Sequence, residues 1–332
     1  MTETAFRLQR ADETNAAFIP EIFRSVYGDS FPVSYVYQPD LLVKEFQQAR
    51  LSAALAFDAN SQPAGYVSIF HSAPNQRLWE SGNLVVVPAY RQSNVADLLV
   101  EAVSTDGFLY SAEESDGLFR EAVCCHYYSQ VSSIKTGYVD CALALDQLDG
   151  PSFKDNTTGS ARVSCVLNFS EGSPPRQPVF IPAVYGNILN RLFLQLHPRV
   201  CSDVALPLPQ DASSTRSEEH YYESVQTWKV AVWGVGSDWS TFTADLLAEA
   251  KRRQVISLQI TINMACPCIG AAVDVLRGHG FFFGGLAPRW FDADGLLMQQ
   301  VFGYETEYAL TKLYSPTAQE LLSFIRADRA AV

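Results

Sequence analysis

The stretch LWESGNLVVVPAYRQSNVADLLVEAVS, residues 78–104, decides how the rest of the chain is read. Leu84, Val85, Val86 and Val87 make a mostly β-branched strand, and Pro88 stops it because proline cannot donate to a sheet ladder. A polar turn follows to Ser93. From Asn94 onward, Val95, Leu98, Leu99 and Val103 recur on one helical face. Asn94 is placed to cap that helix. The helix's first N–H groups have no intrahelical partner and point into the turn carrying Arg91. Backbone amides beside an arginine suit a pyrophosphate.

Toward the N-terminus, residues 5–9 (AFRLQ) read as a short strand, and Ala11-Asp12-Glu13 opens a helix reaching Tyr27. Its apolar face is Phe18, Ile19, Ile22, Phe23 and Val26. An aromatic loop at 28–39 (Phe31, Tyr35, Tyr37) leads to a helix at 39–49 and to strands at 51–58 and 64–71. Toward the C-terminus, 119–125 is a buried strand, and 126–136 is a helix closed by Gly137, a residue suited to the C′ position. Residues 138–145 and 161–169 are strands separated by a loop at 147–159, and GSPPRQP at 172–178 is a linker. A helix follows at 181–196 and a solvated loop at 210–219.

The second half repeats this organisation. It has strand material at 221–235, a helix at 240–253, a buried strand at 256–263, a helix from 269 ending at Gly280, and a strand at 281–286. Helix, glycine and aromatic strand thus recur at Gly137-Tyr138 and Gly280-Phe281, 143 residues apart.

At 332 residues, two domains are the expectation. The composition, 48% hydrophobic and 18% charged, is that of a globular protein. No apolar run reaches the roughly 18–20 residues that span a bilayer, and the N-terminus has no apolar leader core, so a cytoplasmic protein without a membrane partner is expected. A net charge of −12 disfavours nucleic acid, which needs clustered Lys and Arg, and suits an amine-bearing substrate. The seven cysteines show no paired knuckles of a zinc site, so no metal is expected and the thiols read as buried.

V-P-x-Y-R followed by a helix resembles motif A of the GNAT acetyltransferases, Q/R-x-x-G-x-G/A, filled here by Arg91-Gln92-Ser93-Asn94-Val95-Ala96. Arg91 and Ala96 match. Asn94 replaces the glycine, and Gln92 stands where many members carry another. Asparagine tolerates φ > 0 better than most residues, so the turn can survive. The order strand, two helices, three strands, helix, strand, helix, strand is also that of the family. His126-Tyr-Tyr-Ser-Gln with Lys135-Thr-Gly137-Tyr138 resembles its motif B, and LRGHGFFFGGLAPRW at 276–290 with Asp294–Gln299 resembles the closing half of GNAT domains in a two-domain bacterial group.

The resemblance implies an α/β fold of tandem GNAT domains, with mostly antiparallel central sheets flanked by helices. Residues 1–172 would be the acyl-CoA-binding domain and 173–332 a degenerate one, since Val235-Gly236-Ser-Asp-Trp-Ser240 lacks the arginine and the motif. It also implies direct transfer of an acetyl or other acyl group from acetyl-CoA or another acyl-CoA to an amine of a small molecule or peptide, with room for an oligomer. Val85, Val86 and Val87 would hold the pantetheine arm through main chain, and Arg91, Gln92, Ser93, Asn94, Val95 and Ala96 the pyrophosphate.

Glu80, eleven residues before Arg91, matches the strand glutamate that serves histone-type members as general base. A carboxylate in a dry cleft has its pKa raised toward the value such a base needs. The family's acid, a tyrosine four residues before the motif B glycine, is replaced by Ser133, whose hydroxyl is too weakly acidic. His126, Tyr127 and Tyr128 stand nearby, and histidine titrates near neutrality. His126 and Tyr128 are therefore the candidate acids. The alternative is a non-catalytic acyl-CoA-binding or partner-binding member, marked by the lost glycine and tyrosine.

Overall fold

The computed structural model describes residues 6–29, 31, 33–152, 156–202 and 205–332. Residues 1–5 of the N-terminal stretch, Ser30 and Pro32 of the loop expected at 28–39, and 153–155 of the loop expected at 147–159 lie outside the described residues. The chain divides into two compact units, Met1–Leu118 and Phe119–Val332.

The first unit contains β1 (Arg7–Arg10), α1 (Phe18–Tyr27), α2 (Pro39–Gln47), β2 (Leu51–Phe57), β3 (Pro63–Phe70), β4 (Leu78–Val86) and α3 (Val95–Ser104). That is the order expected from the sequence. The four strands pair antiparallel in chain order, with Arg10 facing Ala54, Ala54 facing Val67 and Tyr66 facing Val85. α1 begins later than Ala11 because Asp12 closes a local turn instead. Its carboxylate accepts from the Thr14 N–H and hydroxyl, while Asn15 Oδ1 accepts from the Asp12 N–H.

The expected apolar face of α1 is the core of this unit. Ile19, Ile22, Phe23 and Val26 are buried with Leu51, Leu55, Phe57, Tyr66 and Val85. Burying Phe23 alone contributes roughly 2–3 kcal/mol. The aromatic loop belongs to this packing, since the Phe31 ring lies 4.8 Å from that of Phe23 and Tyr37 6.5 Å from it. α3 packs against β3, with Val95 and Leu99 buried.

β5 (Gly117–Val123) leads into the second unit, which continues with α4 (Tyr128–Lys135), β6 (Val139–Asp149), β7 (Arg162–Glu171), β8 (Val179–Phe180), α5 (Gly186–Phe193), β9 (Cys201–Ser202), β10 (Arg216–Tyr222) and β11 (Thr227–Gly234). Then come α6 (Trp239–Arg252), β12 (Ser257–Asn263), α7 (Ile269–Gly278), β13 (Phe282–Ala287), β14 (Gly295–Val301) and α8 (Pro316–Arg329). The strand order is β5-β7-β6-β13-β14-β12-β11-β10. It reads outward from β6 and β13 as the same sequence of elements twice, β5-α4-β6-β7 on one side and β12-α7-β13-β14 on the other. β6 joins β13 antiparallel through Ala142 and Gly285, so the expected boundary at 172/173 falls inside this unit.

Two elements differ from expectation. Residues 216–219 of the expected polar loop belong to β10, an edge strand whose side chains are almost all exposed, which removes the apolar alternation that marks a strand. The strand expected over 221–235 is instead the β10–β11 hairpin, turning at Gln226 with φ 50°. β14 and α8 complete the sheet and its cover, α8 packing on β6 and β13.

Candidate functional site

β4 is bulged. Ser68 faces Gly82 and Tyr66 faces Val85, so Val67 opposes both Asn83 and Leu84. Asn83 takes a left-handed φ of 56°, and its Nδ2 donates to Ser68 Oγ at 3.1 Å. Leu84 is left 40% exposed. Beyond the bulge, the Val87 N–H donates to the Ala64 carbonyl at 2.9 Å. Antiparallel alternation then commits Val85 to β3 as well and turns the Val86 N–H to the opposite edge of β4. Of the three valines, Val86 is the one whose amide faces away from β3; the Val85 side chain is core.

The turn after β4 is a one-turn 3₁₀ helix, Pro88–Tyr90, and α3 begins at Val95. The left-handed residue is Gln92, φ 67°, whereas Asn94 has φ −84°. The turn thus needs its conformational freedom at Gln92. Asn94 occupies the cap position without a side-chain cap bond. Ser93 supplies the bonds instead: its hydroxyl donates to Tyr90 O at 2.6 Å and accepts from the Val95 N–H at 3.3 Å. The Ala96 and Asp97 amides remain as first-turn donors without an acceptor inside the helix.

Arg91, Gln92, Ser93 and Asn94 are exposed, Val95 is buried and Ala96 is half-buried. Asp97, exposed in the same turn, supports the helix dipole but opposes an added anion. Tyr90 anchors the turn. Its hydroxyl donates to Asp58 Oδ2 at 2.9 Å, and its ring stands edge-on to Phe6. Hydrogen bonds from the Gln62 amide, from Tyr90 and from the Asn60 amide hold the Asp58 carboxyl below its usual range.

Glu80 sits at the other end of β4, half-buried and paired with Phe70. The Ser72 hydroxyl donates to its carboxylate. The adjacent Trp79 ring lies 3.6 Å from that of His71, and burial pushes the His71 imidazole below its usual range.

His126, Tyr127 and Tyr128 belong to the second unit. His126 is half-buried with its ring 5.0 Å from that of Tyr128, and Tyr128 is 75% exposed at the start of α4. Gln130, the glutamine of the motif B stretch, fixes this corner. Its Nε2 donates to the carbonyls of Val123, His126 and Lys312, and its Oε1 accepts from the Tyr314 N–H. Ser133 is fully buried, its hydroxyl donating to Ser129 O at 3.0 Å. Burial pushes the Cys124 thiol up, the reverse of nucleophile activation. Among the described residues no group of three His, Cys, Asp or Glu side chains is arranged to hold a metal, and no helix is long and apolar enough to cross a membrane.

The corresponding turn of the second half is filled by its own chain. Asp238, at the N-cap of α6, accepts from the Thr215 N–H and hydroxyl at 2.7 Å each. The Ser237 N–H donates to Ser213 O, and the Gly236 N–H to the Thr215 hydroxyl. A Cβ on Gly236 would stand 2.4 Å from Ser214 and Thr215 backbone. β11 and β12 are paired in parallel from Thr227–Ser257 to Val232–Ile262.

No protein-family profile and no curated protein sequence matches the chain. Solved structures do. An N-acetyltransferase from Staphylococcus aureus is 10% identical, covering 51% of this chain and 100% of its own, with a TM-score of 0.39. The spermidine/spermine N-acetyltransferase of Vibrio cholerae is 12% identical over 51% of this chain and 93% of its own, TM-score 0.39. A Desulfovibrio desulfuricans protein described as an acetyltransferase of the GNAT family is 13% identical over 51% and 100%, TM-score 0.38. Over about half its length, the chain is similar to N-acetyltransferases of known structure.

Proposed function

We propose that the chain is an acyl-CoA-dependent N-acyltransferase of the GNAT type, acting on an amine of a small molecule or peptide in the cytoplasm. The observation that carries this reading is the bulged strand β4 running into a turn with Gln92 left-handed, Arg91 exposed and the first amides of α3 directed into it. The residues fit the cofactor. Ala96 and Asp97 amides with Arg91 would receive the pyrophosphate, and the Val86 N–H, turned away from β3, would hold the pantetheine arm. Gln92, Ser93, Asn94 and Val95 shape that turn. Acyl-CoA supplies a thioester that makes the acyl carbon electrophilic.

Direct transfer forms the amide N–C bond and breaks the C–S bond. Glu80 takes the ammonium proton. His126 or Tyr128 returns a proton to the departing sulfur. Residues 1–172 would be the cofactor-binding portion and 173–332 the degenerate one. The filled turn at Asp238 supports that assignment.

A second reading, a non-catalytic acyl-CoA-binding member, is favoured by one observation: Ser133, at the position of the family's acid, is buried and bonded to its own helix. Thermal-shift and calorimetric titration with acetyl-CoA, longer acyl-CoAs and CoA tests both, since a ligand of the native state raises the melting temperature. Stabilisation that weakens in Arg91→Ala supports the cofactor site, and thiol release with an amine panel supports turnover. Binding without thiol release selects the second reading. Absence of binding overturns both.

A further inference from the structure

Within the second unit, Glu121 on β5 and Lys229 on β11 are 108 positions apart in the sequence yet bonded at 2.5 Å. Their side chains are 15% and 25% exposed, so the pair is mostly buried but still reaches solvent. The two carboxylate oxygens are used differently. Oε2 accepts from Gln147 Nε2 at 2.9 Å, and Gln147 Oε1 in turn accepts from Gln259 Nε2 at 2.9 Å. Both glutamines are buried, and the Gln147 main chain is fixed by the Thr227 hydroxyl at 2.6 Å. Glu121 is therefore held through Oε2 by neutral amides, which leaves Oε1 to a cation. There it meets the Lys229 ammonium, which also lies 5.7 Å from the Tyr222 ring centroid.

A rigid carboxylate, an aromatic face and partial access are what binds a primary alkylammonium ion. The chain's own lysine fills that place. Each ion still reaches solvent, and lysine gives up rotamer freedom to hold the pair, which limits what the pair is worth. An incoming ammonium can replace Lys229 and leave it to water, and the net charge of −12 raises the local concentration of cations.

We propose that Glu121, backed by Gln147 and Tyr222, is a recognition site for a primary alkylammonium group, which Lys229 occupies when no such ligand is present. The inference rests on the acyltransferase reading insofar as it makes the acceptor a cationic alkylamine, supplied either free or as a lysine side chain of a peptide. The site itself is testable without turnover.

The full chain is titrated calorimetrically with n-butylammonium, Nα-acetyl-lysine amide and, as the uncharged control, 1-butanol. The wild type is expected to bind one or both cations and not butanol, the tighter cation indicating the free or peptide source. Lys229→Met should tighten that binding by up to about fivefold, the worth of the displaced pair. Glu121→Gln should abolish it. Unchanged affinity in Lys229→Met overturns the proposal even if Glu121→Gln does not fold, as does equal binding of butanol or no binding at all. Acetyl-CoA stabilisation measured on the same samples separates the two readings. Acetyl-CoA binding with thiol release that Glu121→Gln leaves intact sinks only the ammonium site; cation binding without acetyl-CoA binding sinks only the acyltransferase.

Discussion

Tyr90 donates its hydroxyl to Asp58 at 2.9 Å and so ties the turn after β4 to the loop between β2 and β3. Asp58 is itself held by the Asn60 and Gln62 amides, which makes it a fixed post rather than a mobile surface charge. Tyr90→Phe should therefore leave the fold intact and weaken CoA binding several-fold, read by calorimetry. The Asp58 carboxyl lies below its usual range when folded, first through the Gln62 amide. Its stabilisation is present above the unfolded pKa, about 3.9, and is lost as pH falls through the lower folded value. An NMR titration should place its midpoint below that of an unperturbed aspartate.

Gly65 lets α3 reach the sheet. A Cβ there would stand 2.8 Å from Val85 O, 2.9 Å from Leu99 Cδ1 and 3.0 Å from Val95 Cγ1. The Val85 carbonyl belongs to the ladder and cannot retreat. Gly65→Ala should cost about 1–3 kcal/mol, the usual price of overpacking, measured by urea unfolding. Because Val95 starts α3, the same substitution should displace the pyrophosphate turn and weaken CoA binding beyond the loss of folded protein.

What was legible in the sequence was set by local chemistry. The apolar periodicity of α1 and the glycines after α4 and α7, Gly137 and Gly280 with φ 82° and 84°, stand as read. The turn after β4 was recognisable, but which residue bears the left-handed conformation was not. Glycine at the motif position drew attention to Asn94, while the backbone places the burden on Gln92. Ser93 offered a cap signal of its own, since serine two residues before a helical position bonds the backbone as readily as asparagine. The β4 bulge leaves no mark in composition. Gln130 stood within the motif B stretch, but its partners up to 184 positions away, like the Glu121–Lys229 pair, were out of reach because they depend on how distant segments are brought together. β14 hid inside a motif, and the start of α8 at Ser315-Pro316 was a signal passed over: the Ser315 hydroxyl accepts from the Ala318 N–H at 2.9 Å.

Ser133 tests whether the missing tyrosine is a simple vacancy. The residue is fully buried and its hydroxyl is bonded within α4, while its carbonyl accepts from the Tyr138 N–H at 3.0 Å. There is no space for a phenol. Ser133→Tyr should lower the melting temperature and fail to raise the rate of thiol release. A variant that melts normally and turns over faster would show that the helix can rotate the position outward.

Asp238 makes the second turn a closed one. Its carboxylate is held below its usual range chiefly by the Thr215 hydroxyl, then by the Thr215 amide. The segment 213–215 thus lies over the start of α6 where an anion would otherwise sit. Asp238→Ala should release that segment, giving faster proteolytic cleavage between 213 and 215 than in the wild type. It should not create a second cofactor site, because β11 and β12 remain paired from Thr227–Ser257 up to Val232–Ile262. Acetyl-CoA stoichiometry should therefore stay the same as in the wild type. A gain of one equivalent in Asp238→Ala would mean that the loop over α6, and not the strand pairing, is what keeps the second half from binding.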